Sequence, residues 1–336
     1  MVAGVTKYTV SGLATGNSYS FRVRAYTQVS TSEYSNALKI GYLPSAVGLL
    51  RTINTPYSLK QVAISRDGAF LLWQGTNCLP LISSWSGTEV SRWNVAPFSS
   101  FAVQATDSLI AASGSVGVFR WAWSQSGDRS SMIGYSNCNL CGFSRGGSVL
   151  AGTSPSGVTL WVFPPGTQSR TLPLDSALAA AFSPDGSLVA GISRSVIRVW
   201  SVASGSPVFS IPTPGTGNSA ITFAVDGGRF YSGGTDGWIR AWDGATGSAQ
   251  GAWDVSAPVT SLVVRPDGMT ILSSGETTGA IREWDVSDGS LIQTLEGSGS
   301  RVTCLTSGLG GRLLAAVSAD AKAHLWSFGG HWWVAP

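Results

Sequence analysis

The chain has 336 residues, 43% of them hydrophobic and 12% charged, with 42 Gly, 14 Trp and 4 Cys. That apolar fraction can bury a large core, which excludes wholesale disorder, and the net charge of +3 is spread without the basic stripe that would advertise nucleic acid. Four Cys are too few for a disulfide-stapled scaffold, and no stretch approaches the roughly 18 apolar residues of a membrane-spanning helix.

At the start of the chain, Met1 to Val10 lacks the apolar core of a signal peptide, which favours a cytoplasmic location. From Tyr8 to Ile40 the sequence alternates with a period of two, Phe21, Val23 and Ala25 on one side and Arg22, Arg24 and Tyr26 on the other, the pattern of a sandwich strand. The run Leu13-Ala14-Thr15-Gly16-Asn17-Ser18-Tyr19 resembles the tyrosine corner of β-sandwiches. With Ser32 to Asn36 after it, the segment is similar to the last three strands of a fibronectin type III domain, with Thr15 in place of the usual Pro. Residues 1–42 are therefore expected to form the C-terminal part of such a sandwich, and residues 43–48 a linker. A sandwich of about 100 residues cannot be completed from so short a piece, so either Met1 is not the natural start or a partner supplies the missing strands.

The remainder, residues 49–336, is repetitive. Trp85, Trp123, Trp161, Trp200, Trp242, Trp284 and Trp326 recur at intervals of 38 to 42 residues, the signature of a repeat architecture. The fourth unit shows the grammar: apolar run Leu178 to Phe182, turn Ser183-Pro184-Asp185-Gly186, run Leu188 to Ile192, run Val196 to Trp200, turn Ser204-Gly205, run Val208 to Ile211. That predicts four short strands per unit. The first turn recurs as Arg66-Asp67-Gly68, Arg145-Gly146-Gly147, Asp226-Gly227-Gly228 and Pro266-Asp267-Gly268, residues that close hairpins without needing a ligand. The second uses Gly87, Gly127, Gly166, Gly205, Gly247, Gly289 and Gly330, and Gly87 alone follows its Trp after only two residues.

These features resemble the WD-repeat β-propeller family. The naming dipeptide is intact at Trp242-Asp243 and Trp284-Asp285, and Asp236 and Asp320 occupy the family's tight-turn aspartate position. The Gly-His dipeptide is absent, so the buried His-Asp-Ser-Trp relay of the family cannot assemble. The resemblance implies an all-β chain: a seven-bladed propeller over residues 49–336, preceded by the partial sandwich. Closing such a ring usually takes one blade built from both chain ends. Leu49 to Ile53 reads like the fourth-strand segment Leu291 to Leu295 and is assigned as the outer strand of the last blade; His331 to Val334 is a rival for that place.

Chemistry is sparse. Cys138 and Cys141 have the spacing of a metal or redox pair, but aligned with the other units they fall with Val259 and Leu262 at core positions, and no second pair accompanies them. They read as structural, and no metal or cofactor is expected. His324 stands where other units carry Arg198, Arg240 and Arg282, and is expected to be a strand-surface residue. First-strand residues are mostly Ala, Val, Ser, Thr and Cys, which argues against a catalytic channel. In the resembled fold, the loops from fourth to first strand and from second to third strand share the usual docking face. Here they carry Tyr57, Phe98, Tyr135, Arg194 and Arg301, aromatic and Arg residues of the kind that anchor interfaces. The expectation is a non-catalytic scaffold for other proteins or peptides, without nucleic acid or membrane insertion. The alternative is a small-ligand or enzymatic site at the central channel.

Overall fold

The computed structural model describes residues 19–21, 38–40, 48–55, 59–65, 68–74, 78–84, 86–94, 98–104, 109–114, 117–122, 138–163, 169–275, 279–297, 299–308 and 312–328. Every regular element among them is a β-strand. Seven antiparallel sheets follow one another along the chain as the blades of a propeller. Blade 1 comprises Val62–Ile64, Phe70–Trp73, Cys78–Ser83 and Glu89–Asn94, and blade 2 comprises Phe98–Val103, Leu109–Gly114 and Gly117–Ala122 among the described residues. Blade 3 is Asn139–Phe143, Val149–Ser154, Gly157–Val162 and Ser169–Pro173; blade 4 is Ala179–Phe182, Leu188–Ile192, Val196–Ser201 and Pro207–Pro212. Blade 5 is Asn218–Phe223, Arg229–Gly234, Trp238–Asp243 and Ala249–Asp254; blade 6 is Val259–Val264, Thr270–Gly275, Ile281–Asp285 and Leu291–Leu295. Blade 7 is Val302–Gly308, Leu313–Ser318 and Lys322–Ser327, completed by Gly48–Asn54 from the other end of the chain.

The core lies between blades. Ala190, Ile197 and Val199 of blade 4 meet Phe223, Phe230 and Trp242 of blade 5, and Val149, Ala151 and Leu160 of blade 3 meet Val189 and Trp200 of blade 4. Full burial of one such side chain is worth about 1.5–3 kcal/mol, so each interface holds its neighbours and no blade is stable alone. Alternation along the strands produces this two-sided burial, because successive residues face opposite neighbours.

Ring closure follows from where the sequence repeat begins. Gly48–Asn54 pairs antiparallel with Lys322–Ser327, Trp326 opposite Leu49 and Lys322 opposite Asn54. Trp284 stands opposite Leu291 in the same way in blade 6, which is the likeness seen in the sequence. Arg51 then reaches forward to the Ser86 carbonyl of blade 1 at 3.0 Å. His331 to Val334 lies outside the described residues. So does most of residues 1–47, on which the sandwich expectation falls; there Tyr19–Phe21 pairs antiparallel with Leu38–Ile40.

The Trp ladder needs a correction in the first two blades. The residue opposite Leu150, Val189, Phe230, Ile271 and Leu314 is Trp161, Trp200, Trp242, Trp284 and Trp326, but in blade 1 it is Ile82, opposite Leu71, and in blade 2 Trp121, opposite Ile110. Trp85 and Trp123 lie outside the described residues. The place of Ile82 explains the odd spacing of Gly87: counted from Ile82 it holds the place of Gly205 and Gly247, and all three adopt φ near +70° and donate to the carbonyl four residues back.

Candidate functional site

The first strands of the blades line the central channel, and a bulge sets the side chains at its loop-side mouth. In blades 2, 5, 6 and 7 the extra residue is Ser99, Ser219, Thr260 and Thr303. Each hydroxyl lies within donating distance of a first-strand or adjacent carbonyl on the next blade: Ser99 to Cys138 at 3.5 Å, Ser219 to Val259, Thr260 to Val302 at 3.1 Å, and Thr303 to Leu59 at 3.0 Å. Four of the seven blades thus carry a hydroxyl at the mouth that is tied to the next blade. Lys60 stands among them and, among the described residues, is the charged one lining this half of the channel, a space of about 390 Å³. Toward the hairpin-turn side the lining becomes apolar, with Phe143, Phe182, Phe223 and Val264 beside Arg145 around about 600 Å³. No group of three or more His, Cys, Asp or Glu is placed to hold a metal among the described residues.

Of the residues singled out on the docking face, Arg194 is exposed in the turn between Ile192 and Val196 of blade 4, and Arg301 is exposed immediately before Val302 of blade 7. Both sit on the loop side of the ring. Phe98 is half-buried against the apolar cluster of blades 1 and 2, and its carbonyl accepts from Gln74 Nε2 at 2.9 Å. Tyr57 and Tyr135 lie outside the described residues. Sequence reasoning passed over Lys60. Its signal is positional: it directly follows Leu59, as Thr260 follows Val259 and Thr303 follows Val302 in later blades.

Two sequence expectations fail on burial. Cys138 is buried as expected, its sulfur 3.0 Å from Ser113 Oγ, but Cys141 opens onto the channel. The reason is that in blade 3 the register shift falls between Leu140 and Gly142, two residues later than in other blades, so Cys141 is itself the bulged residue. The channel walls crowd around it and this desolvation pushes its thiol up to about 11, the opposite of an activated cysteine. His324 is not a surface residue: it is 6% exposed, tilted against the Trp326 ring at 5.6 Å, with Nδ1 3.1 Å from Thr52 Oγ1 on the closing strand. Its counterparts are long enough to escape; Arg198 donates to the Pro173 carbonyl and Arg282 to the Val255 carbonyl of the preceding blade. Imidazole is too short for that, and burial lowers its pKa.

The tight-turn aspartates are in place. Asp236 accepts from the Trp238 amide and pairs with Arg240 at 2.6 Å, and Asp320 accepts from Ser318 Oγ and pairs with Lys322 at 2.9 Å. Half of the relay also survives without its His, since Trp242 Nε1 donates to Ser232 Oγ and Trp284 Nε1 to Ser273 Oγ, each at 2.9 Å.

The family model described as WD40, WD domain, G-beta repeat matches residues 205–243 and 289–327. Each match begins at the turn before the outer strand of one blade and ends in the third strand of the next, the offset that makes Gly48–Asn54 close the ring. Together these matches and the seven blades support a WD-repeat propeller. No curated protein matches the chain. WD-repeat propellers are typically scaffolds for protein interaction.

Proposed function

We propose that the chain is a non-catalytic scaffold that docks other proteins or peptides on the loop face of its propeller. The observation that carries this reading is the exposure of Arg194 and Arg301 on that face, around a channel mouth whose hydroxyls are already committed to tying blades together. An exposed guanidinium on a rigid rim is a ready interface anchor. Tyr57 and Tyr135 belong to the same loops by sequence, and Phe98 supports the mouth from beneath. We infer further that residues 1–42 are the C-terminal part of a fibronectin type III-like sandwich, a second adhesive module; the pairing of Phe21 with Leu38 fits its last hairpin.

A second reading, a small ligand held at the channel mouth, is favoured by Lys60 among Ser99, Asn139, Ser219, Thr260 and Thr303. The two are separated by one experiment. Chemical cross-linking of the full chain in cells, followed by mapping of the linked peptides, should place a partner on the loop face, and Arg194→Glu with Arg301→Glu should abolish the links while Asp185→Ala leaves them. Links lost with Asp185→Ala and kept in the arginine variant would reject the scaffold reading. So would the absence of links together with a small molecule whose binding is lost in Lys60→Ala.

A further inference from the structure

The rim of the ring carries an apolar belt on neighbouring blades. In blades 1 and 4 to 7 the outer strand starts with the residue opposite the ladder position, followed by a bulged residue without a partner on the third strand. In blade 5 these two are Ala249 and Gln250, in blade 4 Pro207 and Val208, and in blade 1 Glu89 and Val90. In blade 6 they are Leu291 and Ile292, and in blade 7 Leu49 and Leu50. These four aliphatic side chains, with Val90 on the next blade, are 41% to 57% exposed. A single exposed apolar residue is ordinary, but several at one height on adjoining outer strands make a surface that favours a cover.

The chain enters the ring at this belt. Gly48, the residue before Leu49, is the first one paired with blade 7, so residues 1–47 lead away from the propeller beside Leu49 and Leu50. Within that segment Tyr19–Phe21 pairs antiparallel with Leu38–Ile40, Tyr19 opposite Ile40, Ser20 opposite Lys39 and Phe21 opposite Leu38. This register puts Tyr19, Phe21, Leu38 and Ile40 on one face of the pair and Ser20 and Lys39 on the other. A two-stranded pair is marginal in water, and an apolar face of this kind needs a surface to rest on. Residues 41–47 join Ile40 to Gly48 and span at most roughly 25 Å, which keeps that face within reach of the rim around blade 7.

We propose that residues 1–47 fold back on the ring as an internal partner, the apolar face of the Tyr19–Phe21 and Leu38–Ile40 pair lying over Leu49, Leu50, Leu291 and Ile292. The tether selects this occupant over a separate molecule, because a short linker holds the segment at an effective concentration in the millimolar range. Docking takes apolar surface out of water on both sides of the contact and leaves the face of Ser20 and Lys39 to solvent. The contact lies outside the core between blades, so it is read from the belt itself and not from the melting of the ring. The rim is neither the loop face nor the channel, so the inference stands apart from the scaffold reading. It needs the pairing of these two strands and not the fibronectin type III-like assignment.

The test uses the full chain throughout. Phe21→Ser with Leu38→Ser, which makes the apolar face polar, should shift the methyl resonances of Leu291 and Ile292, far away in sequence. Those of Val208, at the equivalent rim position of blade 4, should stay in place. Dilution of the parent chain should leave all of these resonances unchanged, as a contact within one molecule requires. Leu291→Ser with Ile292→Ser alters side chains that are already exposed, so the ring keeps its fold; trypsin should then cut at Arg22 and Arg24 several-fold faster than in the parent. Unmoved Leu291 and Ile292 resonances, or cleavage at an unchanged rate, would overturn the proposal. So would parent resonances that move on dilution, because they would place a second copy of the chain on the belt.

Discussion

The hydroxyl of Thr303 in the last blade lies 3.0 Å from the carbonyl of Leu59 at the entry to the first, joining residues 244 positions apart in sequence. It is the seam of the ring, and the same contact is repeated at the blade 6 to 7 step by Thr260 and Val302. Thr303→Val keeps the shape and removes the donor, which should cost about 1–2 kcal/mol in urea unfolding, whereas Thr303→Ser should cost less than half of that. Equal losses for the two variants would mean that the methyl, not the hydroxyl, holds the seam.

The bonds from Trp242 to Ser232 and from Trp284 to Ser273 replace the longer relay that the missing His would complete. Trp242→Phe and Ser232→Ala should each destabilise by about 1 kcal/mol or more, and the double variant by clearly less than their sum, because both remove one buried hydrogen bond. Additive losses would show that the two groups act separately.

Burial of His324 carries a pH dependence. Its pKa is lowered from the ordinary value of 6.5, so the unfolded chain takes up the proton first as pH falls. Stability should therefore be full above about pH 7, decline as pH drops through about 6.5, and level off once the folded state also protonates. Asp320 raises the imidazole pKa and Lys322 lowers it, but burial is the larger effect. His324→Gln should flatten this part of a stability-against-pH curve measured by urea unfolding; a curve of unchanged slope would contradict the assignment.

Gly247 sits at φ +73°, and a Cβ there would come within 2.6 Å of the Phe209 ring, whereas Gly251 has nothing within 4 Å of the equivalent position. Gly247→Ala should cost about 1–3 kcal/mol from strain and the displaced ring, and Gly251→Ala should be neutral or slightly stabilising. Thermal unfolding of the pair separates the turn requirement from the general cost of losing a glycine.

The blades were legible in the sequence because Trp161 to Trp326 and the turn glycines are local signals, fixed by pairing within a few residues. In blade 2 the ladder position is fixed by Ile110 on the opposite strand, which pairs with Trp121 and leaves no local mark in the sequence. In blade 1 the ladder residue is an isoleucine, so the nearest Trp misled. Cys141 was misplaced because the position of a bulge is set by the neighbouring strand and leaves no mark in composition. His324 was misplaced because the strand that covers it arrives from Thr52, 272 residues away. The channel lysine was visible only as a departure from a repeat, and a departure acquires meaning once the register is known.

The closed seven-bladed ring is tested most directly by comparing two truncations by thermal unfolding. Removing residues 1–47 should leave the transition of the propeller in place, since Gly48 is the first residue paired with blade 7. Removing residues 1–54 strips the outer strand from Lys322–Ser327, uncovers His324 and Trp326, and should lower the transition by about 10 °C or more. Identical melting of the two shortened chains would contradict the account, because it would mean that Gly48–Asn54 does not close the ring.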